Sequence, residues 1–302
     1  MTGWGGEGPD KRCCFKCLAN FGSLSFRDFY ESALWRQTML THVLFLASVL
    51  QNGHYLSEIF NLPGFLHGFI TGDLMHCSDL GVLLYLEGII IWELVLEMGG
   101  SMTNCSKQLH YIVSLLKTAS RTLRQHKQPI NALTVGMIKA NANSSPKLKV
   151  KASAARNLLV AIQYVLEHLV SMEAPHAKQR FLVVKNFCSM YDHLQHSLGM
   201  TSLLEAAASC NRALILWGEL RQADIDPCNP DNWQKRGYFL WKLYPKHHLL
   251  QHVLEDQMLV TGNPVGHWCY ADESEIGAAV SLAATLQVQC LHVSVIRKHR
   301  LL

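Results

Sequence analysis

The sequence predicts a mainly α-helical fold, a helical body with a few short strands, and three observations carry that expectation. Apolar residues recur at helical spacing over most of the 302 residues. Turn signals at Gly99-Gly100, Pro175, Gly199 and Gly262-Asn263-Pro264 punctuate those stretches. Hydrophobic residues make up 49% of the chain and charged residues 17%, which is too apolar for a disordered segment and too interrupted for a membrane protein.

Taken in order, residues 26–51 read as one or two helices and 79–97 as another, stopped by Gly99 and Gly100. The periodicity predicts shorter helices over 107–123 and 131–142, parted by Pro129, with 141–146 as the best internal linker. Residues 149–173 are Ala/Leu-rich and end before Pro175; helices over 177–197 and 201–222 follow, with Gly199 as the terminator between them. A Pro-containing bridge at 224–231 leads to predicted helices at 232–244 and 247–260. Short strands are expected near 69–75 and 265–270, and an Ala-rich helix over 272–287. Grouped by composition, 1–12 reads as a flexible N-terminus and 13–100 as a cysteine-knuckle segment. A helical region follows at 101–244 and a C-terminal segment at 245–302.

The longest apolar stretch, 81–98, contains Glu87, Glu93 and Glu97, costly in lipid, so no membrane partner is expected. The Gly-rich start has an early acid and no apolar signal core, so the expected location is intracellular. Seven of the ten cysteines are scattered singly through helical stretches, as small buried hydrophobes would be, and only Cys13, Cys14 and Cys17 cluster. The net charge of +4 is mild, but 98–166 holds no Asp or Glu. Ten cations lie there, among them Lys117, Arg121, Arg124, Lys127, Lys147, Lys149, Lys151 and Arg156. Such a run suits a DNA backbone, and with it a nuclear location, or else a solvated basic face.

Three constellations carry possible chemistry. Cys14-Phe-Lys-Cys17 is half of a tetrahedral Zn²⁺ site, with Asp73 and His76 of Asp73-Leu-Met-His76-Cys77 as the nearest plausible completion. Alternatively Asp79 caps the following helix and His76 is a satisfied side chain. In Pro245-Lys246-His247-His248-Leu-Leu-Gln-His252-Val-Leu-Glu255, spacings of four and three place His248, His252 and Glu255 on one helical face. That set is an alternative metal site or a polar seam; it resembles a zinc hydrolase helix, but Leu249 stands where the general base would follow the first histidine. Lastly, Asp272, Glu273 and Glu275 near Trp268-Cys-Tyr-Ala offer either helix N-terminal charges or a Mg²⁺ carboxylate.

In this order the motifs resemble the distal part of the DDE transposases of CACTA-like elements, over about residues 12–300. In that family a CxxC pair and a C/D-x-x-H motif lie between the second and third catalytic acids. Cys14-Phe-Lys-Cys17 and Asp73-Leu-Met-His76, continuing as Ser78-Asp79-Leu80-Gly81-Val82, are similar to them. The resemblance implies a mobile-element-derived protein, the remnant of an RNase H-like core interrupted by a helical insertion that contains 146–156. It implies Glu273 as the third acid, with Glu275 as alternative. The first two acids would precede the knuckle, where only residues 1–12 stand and Asp10 cannot supply both. Two-metal Mg²⁺ chemistry is therefore expected to be absent from the chain as it stands, unless another chain completes the site. Two other classes remain: a helical scaffold protein without ligand, and a metal-dependent hydrolase built on His248, His252 and Glu255.

Overall fold

The computed structural model describes residues 11–51, 57–101, 104–125, 130–141, 144–171, 173, 176–196, 199–229, 233–236 and 238–270. The chain is mainly helical, as expected. Helices α1 (His42–Gln51), α2 (Leu83–Glu97) and α3 (Ser106–Thr122) are followed by strands β1 (Ile138–Asn141) and β2 (Ser144–Leu148). Then come α4 (Ala152–His168), α5 (Ala177–His196), α6 (Met200–Ile225), the single turn α7 (Trp233–Arg236), α8 (Pro245–His252) and α9 (Met258–Thr261). Two π-helical turns, Met75–Val82 ahead of α2 and Val253–Gln257 after α8, are continuous with their neighbours.

The centre is α2. It is apolar all round, which marks a helix covered on every side, and every residue from Leu86 to Val95 is buried. Gly88 lets the β1–β2 ribbon lie directly on it: a Cβ there would sit 2.8 Å from the carbonyl oxygen of Pro146 and the amide of Leu148. The amphipathic α3 turns Leu109, Ile112, Val113 and Leu116 inward at spacings of three and four. Helices α5 and α6 fold back on one another, joined through Gly199. Two of the three acids on α2, Glu93 and Glu97, are matched. Buried Arg180 of α5 donates to Glu93 at 3.1 Å and Glu97 at 2.6 Å, and the Trp241 indole donates to Glu93 at 2.7 Å. Truncating Arg180 would strand two carboxylates.

Several expectations are corrected. Described residues 131–141 form no α-helix but the 3₁₀ turn Val135–Met137 and β1, since β-branched Thr134 and Val135 and the following Gly136 are poor helix formers. Of the supposed linker at 141–146, Asn141 ends β1 and Ser144, Ser145 and Pro146 open β2. No strand forms at 69–75 or 265–270: the first enters the π-helical turn, and the second begins with the 3₁₀ turn Pro264–His267, where Asn263 caps the Val265 amide. Of 26–51, expected as one or two helices, Leu34–Thr38 is a 3₁₀ helix and His42–Gln51 is α1, while 26–33 is irregular. Among the described residues of 232–244, only α7 is helical; Asp224 holds the Leu240 amide and the Arg236 guanidinium, which folds the segment back toward α6. The expected helix at 272–287 lies outside the described residues.

Candidate metal centre

Two segments far apart in sequence build one site. After Arg12 the chain makes a knuckle in which the amide of Lys16 donates to Cys14 Sγ at 3.2 Å and the amide of Ala19 to Cys17 Sγ at 3.4 Å. Backbone N–H groups aimed at sulfur favour thiolate, the form that binds metal. The knuckle is pinned by Leu40 N–H to the Lys16 carbonyl and by Leu18 N–H to Thr38 Oγ1.

The other half is α8. Pro245 occupies its first turn, and His247 reaches back to accept the Tyr244 amide at 3.1 Å, closing a capping box. Burial against Trp217 pushes the His247 imidazole down to about 3, so it is a neutral cap. The helix so started presents His248 and His252, one turn apart, to the knuckle.

All four side chains are buried, and one donor atom from each lies within 4.8 Å of the others. Cys17 Sγ is 3.2 Å from His248 Nε2 and 3.4 Å from His252 Nε2, and the two Nε2 atoms are 3.0 Å apart. A tetrahedral Zn²⁺ with bonds of about 2.0–2.3 Å needs donors about 3.3–3.8 Å apart, so small outward shifts would admit the ion. The donor chemistry fits as well, two thiols and two imidazoles being a common structural zinc set. Burial opposes ionisation of Cys14, but hydrogen bonds from Cys17, His248 and His252 outweigh it and hold Cys14 down at about 2, while the contact with Cys14 and burial push Cys17 up. Burial also lowers His248, whereas His252, despite burial, is raised to about 9 by Asp256 and Cys14. Asp256 accepts from His252 Nδ1 at 2.5 Å, leaving Nε2 to face the sulfurs, as carboxylates behind metal-bound histidines do. Trp35 packs edge-on against both imidazoles and helps close the site to water.

The sequence-predicted ligands are thus redistributed. Cys14 and Cys17 meet His248 and His252, not Asp73 and His76, because α8 rather than the π-helical turn closes over the knuckle. Glu255, expected beside the two histidines, instead accepts from Arg36 at 2.7 Å and Gln251 at 3.3 Å. Asp73 and His76 stand with Cys269. Asp73 Oδ2 accepts the His76 amide at 2.8 Å and contacts His76 Nδ1 at 2.6 Å, and Oδ1 accepts the Cys269 amide at 2.9 Å. Asp79, expected as a helix cap, is buried and receives the hydroxyls of Tyr191 and Tyr270. Glu273, Glu275 and Lys127 lie outside the described residues. Sequence reasoning missed Asp256, signalled only by its four-residue spacing from His252, and Cys269, which had no signal.

The predicted basic residues separate into two kinds. Arg156 packs over Trp268 and Tyr270, with its guanidinium carbon 4.6 and 5.4 Å from the ring centres, and Lys147 packs over Tyr85. Arg121 and Arg124 at the end of α3, and Lys149 and Lys151 ahead of α4, are exposed. The two helix ends meet where Gln125 donates to the Asn157 carbonyl. Lys117 is half-buried on α3. Among the described residues no helix is long and apolar enough to cross a membrane.

Comparison with protein-family models, curated proteins and solved structures returns no match for this chain, so its role is argued from the quartet and its surroundings.

Proposed function

We propose that the chain is a zinc-clamped helical module of DDE-transposase descent that holds nucleic acid by its phosphates, with Cys14, Cys17, His248 and His252 as a structural Zn²⁺ centre. The buried quartet carries this reading: four donors from segments more than two hundred residues apart in sequence converge on one point, and a metal accounts for that convergence. Zinc would supply a crosslink between the N-terminal knuckle and α8. Four protein donors leave no position for water, so the quartet supports a structural ion over a hydrolytic one.

The descent rests on the order of motifs along the sequence. The nucleic-acid role rests on the cationic end formed by Arg121, Arg124, Lys149 and Lys151, in a stretch that contains no acid from 98 to 166. Binding there would be sequence-tolerant and salt-sensitive.

The test has two arms. Metal analysis of the purified reduced protein should find zinc that Cys14→Ser and His248→Ala remove. Fluorescence anisotropy with a short DNA duplex at low salt should show binding that the joint replacement of Arg121, Arg124, Lys149 and Lys151 by Ala weakens roughly 10-fold or more, with a shallower salt dependence. Zinc with no DNA affinity at low salt would leave a helical scaffold protein in place of the nucleic-acid module.

A further inference from the structure

A second set of metal donors lies outside the quartet. Asp73, at the entry to the π-helical turn, His76 one turn on, and Cys269, near the end of the described chain, place one donor atom each within 4.8 Å of one another. All three are partly exposed, in contrast with the quartet. We propose that they form an open binding site for a divalent transition-metal ion of the Zn²⁺ class, with solvent completing the coordination.

The donor set is a carboxylate, an imidazole and a thiol. That mixture suits zinc and its neighbours better than Mg²⁺ or Ca²⁺, which take oxygen. Three protein donors are the complement of a site that retains an exchangeable position. Asp73 Oδ2 accepts the His76 amide and Oδ1 the Cys269 amide, so the carboxylate is held in place between the other two donors.

The thiol is positioned by its neighbours. The Cys269 amide is bound to Asp73, the Tyr270 hydroxyl donates to Asp79, and Trp268 and Tyr270, edge-to-face at 5.0 Å, both lie under the Arg156 guanidinium. On the other side Lys246 donates to the His76 carbonyl at 3.0 Å, and Gln257 holds both backbone polar groups of Gly72, at 2.7 and 3.0 Å. The backbone contacts that place the donors therefore survive replacement of the His76 or Cys269 side chain. The cluster is not a lone acid or thiol: it joins two segments almost two hundred residues apart.

The full-length reduced protein, loaded with excess Zn²⁺ and desalted, is analysed by mass spectrometry of its metal content. We expect about two zinc ions per chain, and about one in Cys269→Ser and in His76→Ala, with unchanged helical circular dichroism. Titration with Co²⁺ gives a second reading, since Cys269→Ser should remove part of the thiolate-to-cobalt absorption while Cys14→Ser removes a different part. If zinc content and cobalt spectrum are the same in wild type, Cys269→Ser and His76→Ala, the proposal is overturned. A single zinc lost in Cys269→Ser but kept in Cys14→Ser would support the open site and sink the closed quartet, so the two readings fail separately.

Discussion

The closed quartet and the open cluster use overlapping chemistry, Cys and His donors drawn from both ends of the described chain, yet the fold treats them in opposite ways. Cys14, Cys17, His248 and His252 are 0 to 2% exposed. His76 leaves 44% of its side chain accessible, and the Asp73 carboxylate beside it also accepts the His76 backbone amide. The difference lies in what surrounds the donors. The quartet sits between a knuckle with little regular structure and a helix with a strong start, so the donors themselves must hold the two together. The open cluster rides on contacts already made by Gln257, Arg156 and Tyr270, and its removal leaves those contacts intact.

The largest expected effect breaks this comparison at the quartet. Structural zinc in small domains is worth about 10–16 kcal/mol of apparent binding energy at neutral pH, so stripping it should cost this larger protein at least about 3–5 kcal/mol. Chelation, or Cys17→Ser, should lower the urea midpoint sharply and expose residues 11–40 to limited proteolysis. His76→Ala should move the same midpoint by less than about 1 kcal/mol. Equal losses in the two variants would show that the quartet is no more structural than the open cluster.

Much of the helical frame was legible in sequence, while the pairing of donors was not. The Ala/Leu periodicity and the terminator Gly199 delimit α4, α5 and α6 to within a few residues because a long amphipathic pattern is a local property. Both halves of the quartet were visible for the same reason, Cys14-x-x-Cys17 as a turn and His248-x-x-x-His252 as one helical face. Their union depends on α8 packing against the knuckle, a contact that no local pattern encodes. Asp73-x-x-His76 was paired with the wrong thiols, because a local motif carries no mark of which distant cysteine the fold will bring to it: it stands with Cys269, not with Cys14 and Cys17. The π-helical turns add a residue to the helical repeat without a mark in composition, and they change what faces the site.

An intermediate effect sharpens the comparison one layer out from the donors. Asp256 buttresses His252 from behind, a role for which carboxylates typically contribute 10–100-fold in metal affinity. Asp256→Ala should therefore weaken zinc binding at the quartet by roughly that factor, about 1.4–2.7 kcal/mol, while leaving the helical content unchanged. Competition with a chromophoric chelator measures it. Glu255→Ala, one residue away, should leave zinc affinity within about 2-fold, because Glu255 is committed to Arg36 and Gln251. A larger effect at Glu255 than at Asp256 would return the hydrolase-like face to consideration.

The last expected effect is read as a slope with pH rather than as a loss at one pH, and it concerns a buried polar group with no organisation of this kind. Glu87 is fully buried on α2, and neither carboxylate oxygen has a hydrogen-bond partner among the described residues. Burial, aided by the negative charge of Asp79, pushes its carboxyl well above the ordinary value of 4.5. In the window above 4.5 the folded protein holds a proton that the unfolded chain has released, so stability declines as pH rises, and it levels off only beyond the folded value. The slope contributed is at most about 1.4 kcal/mol per pH unit. Glu87→Gln removes the titration and keeps the shape. Urea midpoints measured from about pH 5 to pH 8 should therefore fall less steeply in Glu87→Gln than in wild type. Metal binding at the quartet also varies over that range, but equally in both proteins, so the difference isolates Glu87. Parallel curves would mean that Glu87 ionises in the folded chain as readily as in the unfolded one, and that the core around α2 admits compensating charge or water.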